Sequence, residues 1–200
     1  MDDVARPFRQ QIDEGILDQA AALFARRGFA KTSVQDVADA VGLSKAGLLH
    51  HFPSKEALRE AVLAQAAGLG QQVVEQVEHL PVGAARDHRA VEALVDFALA
   101  HPGVVALLLA PLTQGSDDCA APEGAGAAAL RAFGVDPATA GPERVVRVIG
   151  ALAALAVLTL TANQHDQTTA WRPLVVATCS DALGHGRPGA TPSRPDPVEA

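Results

Sequence analysis

Apolar residues recur every three or four positions along most of the chain, which is the spacing of one face of an α-helix. In the first such segment Ile12, Ile16 and Leu23 share a face, and Gly28 follows as a helix stop. No segment alternates apolar and polar residues over a length typical of a β-strand. The pattern therefore predicts an all-α chain, with helices over residues 10–27, 34–41, 55–78, 89–100, 103–112, 124–133, 143–163 and 169–183.

Residues 31–56 carry the signals of two short helices joined by a tight corner. Ser33 is a favoured N-cap residue with Asp36 three positions later, an arrangement that satisfies two amide groups at a helix start. Gly42 suits the left-handed conformation that ends a helix, and Ser44 is the next N-cap. Because a short turn containing glycine is typical of the helix-turn-helix motif, this segment predicts DNA as the ligand.

The net charge of −7 and the sequence pI near 5.4 would by themselves argue against a nucleic-acid ligand. The charge is unevenly distributed, however. Residues 1–55 hold seven basic and seven acidic residues, whereas residues 56–200 hold nine basic and sixteen acidic ones. No acidic residue lies between Asp39 and Glu56. A small head without net charge can therefore face DNA phosphates while the rest of the chain is acidic.

Residues 10–60 resemble the DNA-binding head of the TetR family of bacterial transcriptional regulators. The resemblance rests on residues 24–29 at the end of the first helix and on residues 32–38 and 42–56, in this order and spacing. It implies an N-terminal three-helix helix-turn-helix head followed by a larger helical body for ligand binding and dimerisation. We expect a DNA-binding domain over residues 1–54, a regulatory and dimerisation domain over residues 55–184, and a disordered tail over residues 185–200.

Transferred position by position, the resemblance implies contacts between DNA and the second helix of the motif. The start of this recognition helix faces the major groove, its two histidines lie against the backbone, and a lysine at the start of the next helix contacts a phosphate. Where the family usually has a tyrosine this chain has Leu49, and the chain contains no tyrosine. The predicted DNA-binding residues are Ser33, Gln35, Ser44, Lys45, Ala46, Gly47, His50, His51 and Lys55.

Several of these residues also have a structural interpretation. Lys45 and Lys55 could be solvated surface charges, and His50 and His51 could form a surface pair or stabilise the end of the helix. Leu49 could face the DNA backbone or pack into the head.

The most apolar segment, residues 148–162, has fifteen residues, fewer than the ~20 that a helix needs to cross a bilayer. It predicts a buried helix. Because small residues let helices approach closely and the segment is apolar on nearly every side, we expect a homodimer through the two C-terminal helices, as the resemblance also implies. A core helix in a monomer is the alternative. The small residues are Gly150, Ala151, Ala153 and Ala154.

Cys119 and Cys179 are isolated from each other and from other metal-binding residues, and no export signal is evident at the N-terminus. We therefore expect free thiols, no metal site, no cofactor and a cytoplasmic protein without a membrane span. No carboxylate pair, phosphate-binding loop or nucleophile with an adjacent base indicates an enzyme.

The body combines apolar helices with scattered polar side chains, as small-molecule sites do. We expect a small-molecule effector that is apolar with one or two hydrogen-bonding groups. The predicted function is a ligand-responsive repressor that binds a palindromic operator as a dimer; the alternative is a helical small-molecule-binding or adaptor protein with a degenerate DNA-binding head. The candidate effector-binding residues are Asp96, Phe97, His101, Thr113, Thr159 and Asn163.

Overall fold

The computed structural model describes the chain over residues 5–114, 125–136 and 138–185. Over these residues the fold is all-α, as predicted, and contains no strand. The helices in chain order are α1 (Ala5–Arg27), α2 (Val34–Ala40), α3 (Lys45–His51), α4 (Lys55–Val77), α5 (Ala84–Ala100), α6 (Pro102–Gln114), α7 (Ala125–Ala132), α8 (Pro142–Gln164) and α9 (Thr168–Ala182).

The observed helices agree with the predicted ones, and the largest differences lie at two helix starts. Helix α1 begins at Ala5 rather than at residue 10, and α5 begins at Ala84 rather than at residue 89. The predicted tail over residues 185–200 lies outside the described part of the chain except for its first residue, His185. Nε2 of that histidine lies 2.6 Å from Oδ2 of Asp87, so the regular contacts of the body extend at least to this position.

Two clusters of buried apolar side chains hold the helices together. The head core joins α1, α2, α3 and the first half of α4, and the body core joins the second half of α4 to α5, α7, α8 and α9. Helix α6 contributes Val104, Leu107 and Ala110 to the head core and Val105 to the body core. The division predicted at residue 55 therefore does not separate two independent cores, because α4 and α6 belong to both.

A buried carboxylate joins α1 to the start of α6. Asp18 accepts hydrogen bonds from the backbone amides of Gly103 (3.1 Å) and Val104 (3.0 Å), so it satisfies two of the free donors at the N-terminus of α6. Burial raises the pKa of Asp18, while these two hydrogen bonds and the nearby His101 act in the opposite direction. The side chain thereby ties α1 to the start of α6.

Gly103 lies so close to α1 that it has no room for a side chain. A Cβ atom there would lie 1.9 Å from the carbonyl oxygen of Asp18. We expect Gly103→Ala to lower the free energy of unfolding by about 3 kcal/mol, because α1 and α6 must separate to admit the methyl group. Gly68→Ala is the control: no atom lies within 4 Å of its Cβ position, and alanine should stabilise α4 by about 0.5–1 kcal/mol. Urea unfolding of both variants tests this difference, and equal stabilities would contradict it.

Helix α8 contains the predicted apolar segment and is 23 residues long. By length and composition it could cross a membrane, with a mean hydropathy of 2.2 over 18 residues, of which 33% are buried. A helix in the core of a globular protein can have the same length and hydropathy. On one side α8 buries Ala151 and Leu155 in the body core, and on another it leaves Ile149 and Val157 exposed.

Cys179 of α9 is a free cysteine, as predicted, and is fully buried. Its Sγ lies 3.5 Å from the carbonyl oxygen of Ala151, so α9 packs directly on α8 at this point. Burial raises the pKa of the Cys179 thiol to about 11. The thiol is therefore neutral at physiological pH and acts as a small apolar side chain. Cys119 lies outside the described residues.

A buried ion cluster ties α5 to α8 and to the C-terminal end of the described chain. The Asp87 carboxylate is 1% exposed and accepts two hydrogen bonds from Arg144, at 2.8 and 2.6 Å, and lies 2.6 Å from Nε2 of His185. Burial acts to raise the pKa of Asp87, but the hydrogen bonds and charges of Arg144 and His185 hold it below its ordinary value. Arg144 also donates to the carbonyl of Phe133, so the cluster anchors the end of α7 as well.

Candidate nucleic-acid interface

The predicted capping box is present at the start of α2. The amide of Asp36 donates to Oγ of Ser33 (3.1 Å), and the amide of Ser33 donates to Oδ2 of Asp36 (2.8 Å). Hydrogen bonds from the hydroxyl and backbone amide of Ser33 lower the pKa of Asp36. Arg27 of α1 completes the arrangement with an ion pair of 3.0 Å to Asp36. The orientation of α2 on α1 is therefore set by polar contacts as well as by the head core.

The corner between α2 and α3 is a Schellman motif around Gly42. Gly42 has a φ of +71°, a conformation in which a Cβ atom is strained. The amide of Leu43 donates to the carbonyl of Ala38 (2.9 Å), and that of Gly42 donates to the carbonyl of Asp39 (3.3 Å). These two bonds satisfy carbonyls that α2 leaves free at its end, and they turn the chain sharply into α3.

Helix α3 buries one side and exposes the other. Its N-cap is Ser44, as predicted, whose Oγ accepts from the amide of Gly47 (3.0 Å). Leu48 is fully buried in the head core, whereas Lys45, Ala46 and His50 are exposed. These three define the exposed α3 face, which carries two basic side chains and no acid. It is the side of the motif that remains free to meet a ligand.

Two positions on α3 bear on how the helix contacts DNA. Gly47 is half-buried, and a Cβ atom there would lie 3.2 Å from Oγ of Ser44, so the glycine leaves room for the cap. Leu49 is also half-buried and is not part of the head core among the described residues. Because residues four apart lie on the same side of a helix, Leu49 adjoins Lys45 and the exposed α3 face.

The two adjacent histidines of α3 have different environments. His50 is exposed at the end of the helix. His51 is half-buried, and its Nδ1 lies 2.7 Å from Oδ1 of Asp13 on α1. In the free protein His51 therefore holds α3 against α1. Of the two histidines, His50 alone belongs to the exposed α3 face.

A second basic group lies where α4 begins. Nζ of Lys55 lies 4.2 Å above the ring centroid of Phe29 and donates to the carbonyl of Ala30 (3.3 Å). The guanidinium of Arg59, one turn later, lies 5.2 Å from the same ring centroid. Arg59 was not among the predicted contacts, although its spacing of four residues from Lys55 would have placed both on one helix face.

The remaining predicted DNA contacts lie at the start of α2. Ser33 and Gln35 are both exposed there. The side-chain amide of Gln35 donates to Oδ1 of Asp39 (2.6 Å), so it is engaged within α2 in the free protein. Ser33 is likewise engaged as the N-cap.

Three of the predicted effector-binding residues line one cavity. Asp96, Phe97 and His101 line a cavity of about 260 Å³ between α4 and α5. Asp96 accepts two hydrogen bonds from Arg172 of α9, at 2.6 and 2.8 Å, and these bonds lower its pKa. This carboxylate therefore already has a charged partner within the protein.

The other predicted effector contacts lie on α8 and α6. Thr159 is fully buried, and its hydroxyl donates to the carbonyl of Leu155 (2.8 Å) in its own helix. The side-chain amide of Asn163 donates to the carbonyl of Thr159 (3.0 Å). The side chain of Thr113 lies outside the described part of the structure. The spacing of apolar and polar residues could not reveal that the side chains of Thr159 and Asn163 donate hydrogen bonds to backbone carbonyls of their own helix.

No three His, Cys, Asp or Glu side chains within the described ranges of the chain are grouped so that they could hold a metal ion.

Comparison with known proteins concerns mainly the head. Residues 16–62 match the sequence model of the bacterial regulatory proteins of the tetR family. The chain is 50% identical over 48 residues to the HTH-type transcriptional repressor KstR2 of Rhodococcus jostii, a match covering 24% of each protein. It is 46% identical over 52 residues to the HTH-type transcriptional regulator RutR of Escherichia coli, covering 26% of this chain and 24% of that protein. The matches thus span about a quarter of the length of these curated relatives.

The body is compared through its fold. A crystal structure of a protein from Rhodococcus sp. that is assigned to the TetR family of transcriptional regulators aligns with a TM-score of 0.53. The alignment covers 86% of this chain and 99% of that one at 18% sequence identity. At this identity the likeness concerns the all-α fold alone. The head over residues 16–62 is therefore similar to the helix-turn-helix heads of the tetR family of bacterial regulatory proteins, and the whole chain shares the all-α fold of the Rhodococcus protein.

Proposed function

We propose that the chain is a DNA-binding transcriptional regulator that inserts α3 into the major groove of an operator. The observation that carries the proposal is the exposed α3 face, which presents Lys45 and His50 and carries no acid. Leu48 anchors the opposite side of the helix in the head core. A rigid helix with a free basic side meets the geometric and electrostatic needs of groove binding.

The individual contacts follow from which groups are free. Ala46 lies in the major groove, Gly47 permits close approach of the backbone, and the exposed Lys45 contacts a phosphate at the edge of the groove. His50, together with Lys55 and Arg59 at the start of α4, contacts the DNA backbone. DNA contact by four of the predicted residues requires that they share or exchange the partners they hold in the free protein; these residues are Ser33, Gln35, His51 and Lys55.

We further propose that two copies bind the operator as a homodimer through α8 and α9. One side of α8 exposes Val146, Ile149, Gly150, Ala153 and Val157, which we call the α8 outer face. Leu174 of α9 is also exposed. Exposed apolar surface of this kind is typical of a subunit interface. Of the small residues predicted to meet the partner, Ala151 instead faces the body core and is 1% exposed, because it lies on the opposite side of α8.

The sign of regulation proposed here is repression in the cytoplasm, relieved by a small-molecule effector. The relative in Rhodococcus jostii is named a repressor. The dimer would exist in conformations that differ in the distance between its two heads. An effector that binds more tightly to a conformation unsuited to the operator would shift the population towards it and so release DNA. Helices α4 and α6 belong to both cores, so they provide the physical connection between body and head.

DNA binding is tested by a salt titration with duplex DNA. We expect log K to fall linearly with log salt, and Lys45→Ala and Lys55→Ala each to reduce the slope by about 0.9, because each removes one phosphate neutralisation. Arg89→Ala is the control, since it removes one positive charge from α5 in the body. An unchanged slope for both lysine variants would contradict the proposed interface. Absence of any binding at low salt would favour the alternative of an adaptor with a degenerate head.

A further inference from the structure

A second cavity lies inside the body, between α5, α6, α7 and α8. Its volume is about 340 Å³, within the range of small-molecule sites. Of the predicted effector-binding residues whose side chains the structure describes, Phe97 alone lines it. Representative lining residues are Leu94 and Phe97 of α5, Leu109 of α6, Leu130 of α7, and Leu152 and Ala156 of α8.

The described lining of this cavity is chemically uniform. Each of the side chains is a hydrocarbon or an aromatic ring, apart from one glycine, and none carries a charge or a hydrogen-bonding group. A carboxylate or ammonium moved from water into such a lining loses its hydration without gaining a partner. Hydrocarbon groups gain from the same transfer. The cavity therefore selects by exclusion of charge.

The cavity opens on the α8 outer face. The lining residues that are exposed at the surface are Ile149 and Ala153 of this face and Gly126 at the start of α7. A second copy of the chain that covers this face would close the opening. A charged group on the ligand could then not remain in water at the opening, as it could in a monomer.

We propose that this cavity binds an uncharged, largely hydrocarbon molecule, and that the second subunit closes the site. The inference rests on the proposed function, since it assigns the effector a place and a chemical class and uses the proposed dimer. It differs from the expectation drawn from the sequence, because the ligand needs no hydrogen-bonding partner in the described lining. It also means that ligand and partner subunit stabilise each other's binding.

The experiment uses the full chain and two probes of equal chain length, decanol and decanoate, at pH 8. Isothermal titration in the absence of DNA is expected to give one decanol site per subunit and at least tenfold weaker binding of decanoate. Equal affinities would overturn the proposed chemical class. Absence of decanol binding up to its solubility limit would overturn the site itself.

Two cavity-filling variants test the location. Ala129→Phe on α7 and Ala156→Phe on α8 place a ring in the cavity from two sides, and both should weaken decanol binding at least tenfold. Ala127→Phe is the matched control, because Ala127 lies on the same helix as Ala129 but is exposed and does not line the cavity. Using two variants guards against loss of folding in one. Decanol binding that survives in both folded variants would overturn the location.

Closure by the partner is tested with Val157→Glu, which changes the α8 outer face without touching the cavity lining. If this variant is a monomer, decanol should bind it at least fivefold more weakly than the wild-type dimer. Equal affinity for monomer and dimer would overturn closure by the second subunit. None of these measurements contains DNA, so failure of the proposed DNA binding is recorded separately in the salt titration.

Discussion

Replacement of Val157 by glutamate is expected to weaken the dimer at least about a hundredfold and, with it, operator binding. Val157 is 57% exposed on the α8 outer face, so the single chain tolerates the carboxylate in water. In the dimer the charge would be buried against apolar side chains without a partner. Because a two-fold interface uses the same residue twice, the cost of about 1.5–2 kcal/mol per subunit is doubled.

Sedimentation and operator titration of this variant test the prediction together. Val82→Glu is the control, since Val82 is similarly exposed (63%) but lies in the connection between α4 and α5 rather than on α8 or α9. It should sediment as the wild type does and bind operator equally well. An intact dimer for Val157→Glu would place the interface elsewhere. A monomeric variant that still binds operator with wild-type affinity would contradict the proposed dimeric mode of DNA binding.

Replacement of Asp87 by asparagine is expected to lower the free energy of unfolding by about 2–4 kcal/mol. The amide keeps the size of the side chain but loses its charge, and its NH₂ group would face the donors of Arg144 or His185. Removing one partner of a buried ion pair commonly costs 3–5 kcal/mol. The expected value is somewhat smaller because the side chains of Arg144 and His185 are 27% and 30% exposed.

Asp96→Asn is the matched control, since Asp96 also receives two hydrogen bonds from one arginine but is 52% exposed. An exposed pair of this kind contributes about 1 kcal/mol or less. Urea unfolding at pH 7 should therefore separate the two variants clearly. Similar losses for both would contradict the role assigned to the buried cluster.

The pH dependence gives a second measurement on Asp87. The pKa of Asp87 is below its ordinary value of 3.8 in the folded protein, so its contribution to stability is present at neutral pH. It is lost as the pH falls from that ordinary value through the lowered pKa, because the folded state then gains the proton as well. The difference in stability between wild type and Asp87→Asn should therefore narrow at low pH. If the difference in free energy of unfolding between wild type and Asp87→Asn stayed constant down to the pH of acid unfolding, the charge of Asp87 would not be the cause of that difference.

The head is the part of the protein that could be predicted from the sequence in most detail. Ser33, Gly42 and Ser44 act within a few residues of their own positions, through caps and one left-handed turn. Such local chemistry depends little on the rest of the chain. The roles of the DNA-contacting residues stay predictions. The caps and the turn do set the start and the direction of α3, which carries the exposed α3 face.

Distant contacts had no signature in the sequence. The pairing of His51 with Asp13 joins positions 38 residues apart, and the approach of Gly103 to α1 and the cluster around Asp87 span larger separations. Periodicity states which side of a helix is apolar, but it does not state which helix packs there. For this reason the sequence could not show that Asp96 and His101 line one cavity while Thr159 is buried within α8.

The sequence by itself determined the all-α class, the helix-turn-helix and the nearly neutral charge of the head, because each of these arises from neighbours along the chain. The tertiary structure decided which polar groups remain free. In the folded chain His51 contacts Asp13 of α1 and Asp96 pairs with Arg172. Lys45 and His50 remain exposed. The tertiary structure also forms an apolar cavity that reaches the α8 outer face. A cavity results from the way four helices pack against one another in three dimensions, so no local pattern of residues could specify it.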